Sequence, residues 1–150
     1  MNVLFEKVVD WFLKNIFTFN PILSITVEEL LLLYMEYLLV SSFITLLISI
    51  FFKEGREPSP RIIDLPLAVF EELLFRGVPL TLFGSQAAIY AHFIWALLHL
   101  HPTTIAFAAV FGILCLRLWL GGLWIEAIFI HVFHNLLATT INNLVKRKED

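Results

Sequence analysis

Residues 30–52 read LLLLYMEYLLVSSFITLLISIFF, a run whose one formal charge is Glu36. A helix of about 20 apolar residues crosses a bilayer. Inside hydrocarbon the backbone must satisfy its own polar groups, so only helices and closed barrels serve there. The run is unbroken and does not alternate in polarity, which selects the helix. Composition extends the argument to the whole chain. It is 59% hydrophobic and 15% charged over 150 residues, with mean hydropathy +0.86. Soluble domains are about 45–50% apolar and about 25% charged. The reading is an all-α, polytopic membrane helix bundle, multi-pass and integral, in contact with the lipid bilayer. The net charge of −3 and the lack of a basic stripe exclude a nucleic-acid partner. The single cysteine, Cys115, excludes an intramolecular disulfide and a cysteine zinc site.

The spacing predicts about five transmembrane helices plus an amphipathic N-terminal helix. Residues 1–20 form the interfacial helix: Glu6, Asp10 and Lys14 recur at i+4, opposite Leu4, Val8, Trp11 and Phe12. Asn20-Pro21 is expected to end it, and its charges are incompatible with a signal-peptide h-region. Residues 21–61 hold the first span, opened by a capping box at Thr26 to Glu29, and the polar loop KEGREPSPR. Residues 62–145 form a core of four further spans, at about 62–83, 86–100, 104–120 and 123–144. Asp64 is the expected cap of the first of these. Residues 146–150 are a charged tail. Lys53, Arg56 and Arg61 lie four crossings from Lys146, Arg147 and Lys148, so both clusters fall on one side. The excess of positive charge makes that side cytoplasmic, with the cell membrane as the expected location. Arg117 dissents, near the outer end of its helix, where it can snorkel.

Polar side chains inside such spans face the bundle interior or a watery cavity. A rise of about 1.5 Å per residue puts Glu71, Glu72, His99, His131 and Asn135 in the inner half of the bilayer, on three helices. Glu72 and Arg76 are i, i+4 and read mainly as a structural ion pair. Glu71 has Phe75 at i+4 and thus no such partner, so it reads as functional. His131 and Asn135 share a helix face. His92, His101 and His134 read as bystanders, although His134 is i+3 from His131. Glu36 either faces the same cavity or pairs with Arg61 or Arg117. The chemistry these types allow is water activation: a desolvated carboxylate as base, a histidine to hold the water or a metal, and histidine and amide donors for an oxyanion. No serine or cysteine sits one turn from a histidine, which counts against a covalent triad. HExxH is absent. A site of one glutamate and two histidines would leave a metal such as zinc an open position, so metal-dependent and metal-free chemistries both stand.

Three motifs carry a resemblance. EExxxR is met by Glu71-Glu72-Leu73-Leu74-Phe75-Arg76, FxxxH in spacing by Trp95-Ala96-Leu97-Leu98-His99, and HxxxN by His131-Val132-Phe133-His134-Asn135. Together and in this order they resemble the CAAX prenyl protease and bacteriocin-processing (CPBP, or Abi) intramembrane proteases over about residues 62 to 138. The resemblance implies an intramembrane endopeptidase, metallo- or glutamate-dependent, acting on a membrane-associated and lipidated protein or peptide, with its active site toward the cytoplasm. It implies that Glu71 activates water, His99 holds it, His131 and Asn135 stabilise the oxyanion, and Glu72 and Arg76 brace the site. If a divalent metal is present, its candidate ligands are Glu71, His99 and His131. Trp95 replaces the usual Phe, a change expected to alter packing rather than chemistry. Only one full span precedes the motif helices, so a homodimer is one way to complete the cavity wall. The alternative reading is a non-catalytic immunity or scaffold protein that uses the polar cluster for helix packing.

Overall fold

A computed structural model describes residues 3–52 and 65–149. The loop at 53–61 and the expected cap Asp64 lie outside the described residues, as do the side chains of the C-terminal basic cluster. Among the described residues all regular structure is helical, in six helices. Helix α1 spans Val3–Asn15, α2 Val27–Phe51, α4 Ser85–Leu97, α5 Pro102–Leu120 and α6 Trp124–Glu149. Helix α3 is composite: an α-helical start, Leu65–Glu72, a π-helical turn, Leu73–Gly77, and an α-helical end, Val78–Phe83. Pro79 supplies a physical reason for the wide turn. Its ring would collide with the carbonyl four residues back and it has no N–H to donate. The helix opens there, and Val78 N–H reaches Leu73 O, an i to i−5 bond.

The capping box of α2 is present. Glu29 N–H donates to Thr26 Oγ1 at 3.2 Å and Thr26 N–H to Glu29 Oε2 at 2.8 Å. Helix α5 is the axis of the bundle, packed on α2, α4 and α6. Its run from Val110 to Leu116 is buried throughout, Gly112 included. Tyr34 and Tyr37 of α2 and Ile130 of α6 close around it. The start of α3 packs on α6, and its end on α4.

Three helices are long and apolar enough to cross a membrane by length and composition: α2, α5, and α6 over Trp124–Leu144. Three of the five expected spans thus meet these criteria among the described residues. Helix α4 has 13 residues, short of the about 20 a crossing needs, and α3 carries Glu71, Glu72 and Arg76 around its π-turn. The outer faces of α2 and α6 are apolar and uncovered: Leu39, Phe43 and Ile50, then Ile125 and Phe129, are exposed. Surfaces of that kind are stable against lipid, not water.

Three boundaries moved. Helix α1 ends at Asn15, before Asn20-Pro21. Helix α4 ends at Leu97, which puts His99 in the turn after it. Pro102 opens α5 ahead of the expected start near 104, in the first turn, a position where its missing N–H costs nothing.

Candidate active site

Glu72 is the hub. Its side chain is fully buried, as is that of Arg76. Arg76 Nη1 donates to Glu72 Oε1 at 2.6 Å, and His131 Nδ1 meets the same oxygen at 2.7 Å. Trp119 Nε1 donates to Glu72 Oε2 at 2.8 Å. One carboxylate thus ties α3 to α5 and α6, with both oxygens engaged. A buried charge is tolerable when it is paired and hydrogen-bonded in this way.

Arg76 is braced on its other sides. Its guanidinium carbon lies 4.5 Å from the Trp95 ring centroid, a cation–π distance. Nη2 lies 3.3 Å from His92 Nδ1, while His92 Nε2 donates to Ala109 O at 2.9 Å. Arg76 Nε has no hydrogen-bond partner among the described residues. Gly112 makes room for this cluster. A Cβ there would sit 2.7 Å from Arg76 Nη2 and 2.5 Å from His92 Cε1.

Beside the hub is a cavity of about 300 Å³ whose lining includes Glu71, His99, His131 and Asn135. Glu71 comes from the last α-helical turn before the π-turn, His131 and Asn135 from one face of α6, and His99 from the α4–α5 turn. Glu71 Oε2 accepts from Trp95 Nε1 at 3.1 Å and lies 3.8 Å from His131 Nε2. The Glu71 side chain is 25% exposed against 7% for His131. The carboxylate therefore stands at the cavity boundary while the imidazole is embedded. Because His131 Nδ1 is committed to Glu72, its Nε2 faces Glu71. His99 Nδ1 donates to Trp95 O at 3.1 Å, which leaves its Nε2 as an acceptor. Asn135 lines the cavity with no side-chain hydrogen bond to another described residue.

The turn that carries His99 is strained. Leu100 has φ +65°, and His101 N–H bonds back to His99 O at 2.8 Å. That is a γ-turn of the rare positive-φ kind.

Two expectations need correction. Trp95 is more than a packing substitute for Phe, since only an indole N–H can donate to Glu71. His92 and His134 are not bystanders: His92 is buried against Arg76, and His134 lines the cavity. Helical spacing carried part of this signal, because 92 and 95 share a face of α4, and 131 and 134 a face of α6. No sequence feature tied Trp119 to Glu72.

A metal fits less well. Among the described residues no three His, Cys, Asp or Glu side chains gather so as to hold an ion. Glu71 and His131 approach one another, but His99 does not complete a ligand set with them.

No curated protein and no solved structure matches the chain. The family model for Rce1-like type II CAAX prenyl endopeptidases matches residues 63–137. That segment is half of the chain and contains the π-turn, all three motifs and every residue around the Glu72 hub. With three helices able to cross a bilayer, the chain is a membrane protein of the Rce1-like type II CAAX prenyl endopeptidase family.

Proposed function

We propose that the chain is an intramembrane endopeptidase that hydrolyses a peptide bond of a lipidated, membrane-associated substrate, with prenylated CAAX termini as the substrate class its family suggests. The observation that carries this reading is the Glu71 carboxylate. It is partly exposed on a cavity, oriented by Trp95 Nε1–H and faced by His131 Nε2.

In the proposed reaction a water bound between Glu71 and His99 Nε2 attacks the scissile carbonyl carbon. Glu71 takes one proton from the water as the C–O bond forms. The carbonyl oxygen becomes an oxyanion, and Asn135 donates to it from its side-chain amide. His131 turns its Nε2 toward the same oxygen, the ring held in place by the contact of Nδ1 with the Glu72 carboxylate. Glu71 then passes its proton to the leaving nitrogen as the C–N bond breaks. Glu72 and Arg76 touch neither water nor peptide in this scheme; they hold His131 and Trp95 in place. Preorganised donors aimed at the developing charge supply most of the acceleration in such sites. The site opens toward the cytoplasm in this reading, and α1 lies along the membrane surface.

The test compares membrane-protein termini in cells carrying wild type or Glu71→Gln at matched levels. New N-termini or shortened C-termini seen only with wild type are expected, with at least a ~1000-fold loss of hydrolysis in the variant, as for a missing general base and its bound water. Identical profiles, with wild type still rescuing a deletion phenotype, would favour the scaffold alternative.

A further inference from the structure

The Glu71 mechanism leaves one imidazole of the cavity unused. His134 lies between His131 and Asn135 in sequence and lines the same cavity. Its ring packs against both Phe107 and Phe111, with centroids 5.1 Å and 4.5 Å away and interplanar angles of 25° and 34°. Its Nδ1 is 3.3 Å from the Tyr34 hydroxyl. Tyr34 is 2% exposed and packs edge-on against Phe111 and Phe133.

The tautomer follows from Tyr34. A buried phenol finds an acceptor for its proton, and His134 Nδ1 is its hydrogen-bond partner among the described residues. Nδ1 therefore accepts, and the ring proton sits on Nε2. Nε2 has no partner among the described residues and is not enclosed by protein. A packing role explains the two stacked rings, but phenylalanine would serve it equally. It does not explain an unpaired ring N–H on a residue that lines the same cavity as Glu71 and His99.

We propose that His134 is a substrate-binding residue, oriented by Tyr34, whose Nε2–H donates to an oxygen of the peptide beside the scissile bond. The oxygen is either a main-chain carbonyl or the terminal carboxylate. The proposal rests on the endopeptidase reading for the nature of its ligand. Tyr34 is a positioning residue, since it is buried behind the histidine.

The test measures binding, so it does not depend on turnover. A fluorescent farnesylated peptide ending in Cys-a-a-X is titrated against the Glu71→Gln protein in lipid nanodiscs, with and without His134→Phe. Phenylalanine keeps the stacking and removes the donor. The expected result is a Kd about tenfold weaker, the scale of one hydrogen bond, with any loss of melting temperature from the unpaired Tyr34 hydroxyl removed by adding Tyr34→Phe. His134→Gln, which retains an N–H, should recover part of the loss. Tyr34→Phe should weaken binding a few-fold alone and add nothing to His134→Phe. A peptide with a C-terminal amide separates the two oxygens. If His134→Phe no longer matters to it, the carboxylate is the partner; if the tenfold difference persists, a carbonyl is. Equal Kd values for the Glu71→Gln protein with and without His134→Phe overturn the proposal, and so does a peptide that binds neither. Additive effects of the Tyr34 and His134 changes overturn the positioning role. Failure of Glu71-dependent cleavage in the active protein refutes the protease reading instead, whatever the binding shows.

Discussion

Two arginines inside the bundle meet opposite fates. Arg76 is fully buried beside α5 and answered by a carboxylate, an indole face and an imidazole. Arg117 projects from α5 itself and is answered by neutral oxygens. Its Nε donates to Asn20 O at 2.9 Å, and its Nη1 to Asn15 O at 2.7 Å and Tyr37 Oη at 3.0 Å. Only one residue separates Arg117 from Trp119, the partner of Glu72, yet they lie about 200° apart around the helix. One face of α5 thus builds a charged cluster, and the other fastens the segment after α1. Tyr37 joins the fastening by donating to Ile16 O at 2.8 Å, and Ile22 N–H reaches Arg117 O at 3.1 Å. Gly121 completes it, since a Cβ there would collide with the backbone of Ile22. Carbonyls satisfy a guanidinium without offering chemistry. The Arg76 cluster instead concentrates a second charge and two histidines beside a cavity. The difference separates a clasp from a site.

The largest expected effect breaks the charged face. Arg76→Met leaves Glu72 buried without its cation, and losing one partner of such a pair costs about 3–5 kcal/mol. Thermal or denaturant unfolding in detergent should show that loss, together with loss of hydrolysis. Restoring neutrality with Glu72→Gln in the Arg76→Met background should recover much of the stability but not the activity, because His131 Nδ1 then faces an amide instead of a carboxylate. If the single variant were as stable as wild type, the ion pair would not be holding the bundle. The other face should respond less. Arg117→Met removes bonds to neutral acceptors, at about 1–2 kcal/mol in all. Its mark should be faster proteolysis within residues 16–26 with turnover unchanged. Reduced turnover would mean that the clasp and the site are coupled.

These two faces were unequally legible in the sequence. Glu71, Glu72, Arg76, His99, His131 and Asn135 stood out because charges and amides are rare in apolar runs, and depth alone grouped them. The Glu72–Arg76 pair followed from i, i+4 spacing. Arg117 looked like a residue snorkelling to the interface, because its partners are backbone carbonyls, which carry no residue identity. Trp95 was taken as bulk, since an apolar scale cannot see which way an indole N–H points. Only three of the five expected spans are long and apolar enough among the described residues, for a related reason. Hydropathy cannot register that Pro79 opens a π-turn inside α3, or that α4 stops at Leu97.

Trp95 sharpens the comparison at smaller scale. Trp95→Phe keeps an aromatic face for Arg76 but deletes the donor to Glu71. Stability should change little, while kcat falls about tenfold, the equivalent of one hydrogen bond of about 1.4 kcal/mol. KM should hold, because the indole orients the base and does not bind the peptide. An unchanged kcat would return Trp95 to the packing role that the sequence suggested.

The smallest effect concerns where the molecule stores strain. Positive φ falls on glycine in two other turns, at Gly84 and Gly122, where no Cβ is in the way. At the α4–α5 turn it falls on Leu100, between His99 and His101, where a side chain costs about 1–2 kcal/mol. Strain of this kind persists when surrounding structure over-determines it, and it clusters at functional sites. Leu100→Gly relieves the strain but enlarges the freedom of the unfolded chain, which costs about 0.4–1 kcal/mol. Net stability should therefore rise by no more than about 1.6 kcal/mol by these two opposing terms. Turnover should fall a few-fold, because the loosened turn lets His99 Nε2 wander from the water it holds. Melting curves and kcat on the same preparation separate the two effects. A variant that gains stability and keeps its full kcat would show that the γ-turn serves the α4–α5 connection alone, and that the strain does not belong to the site.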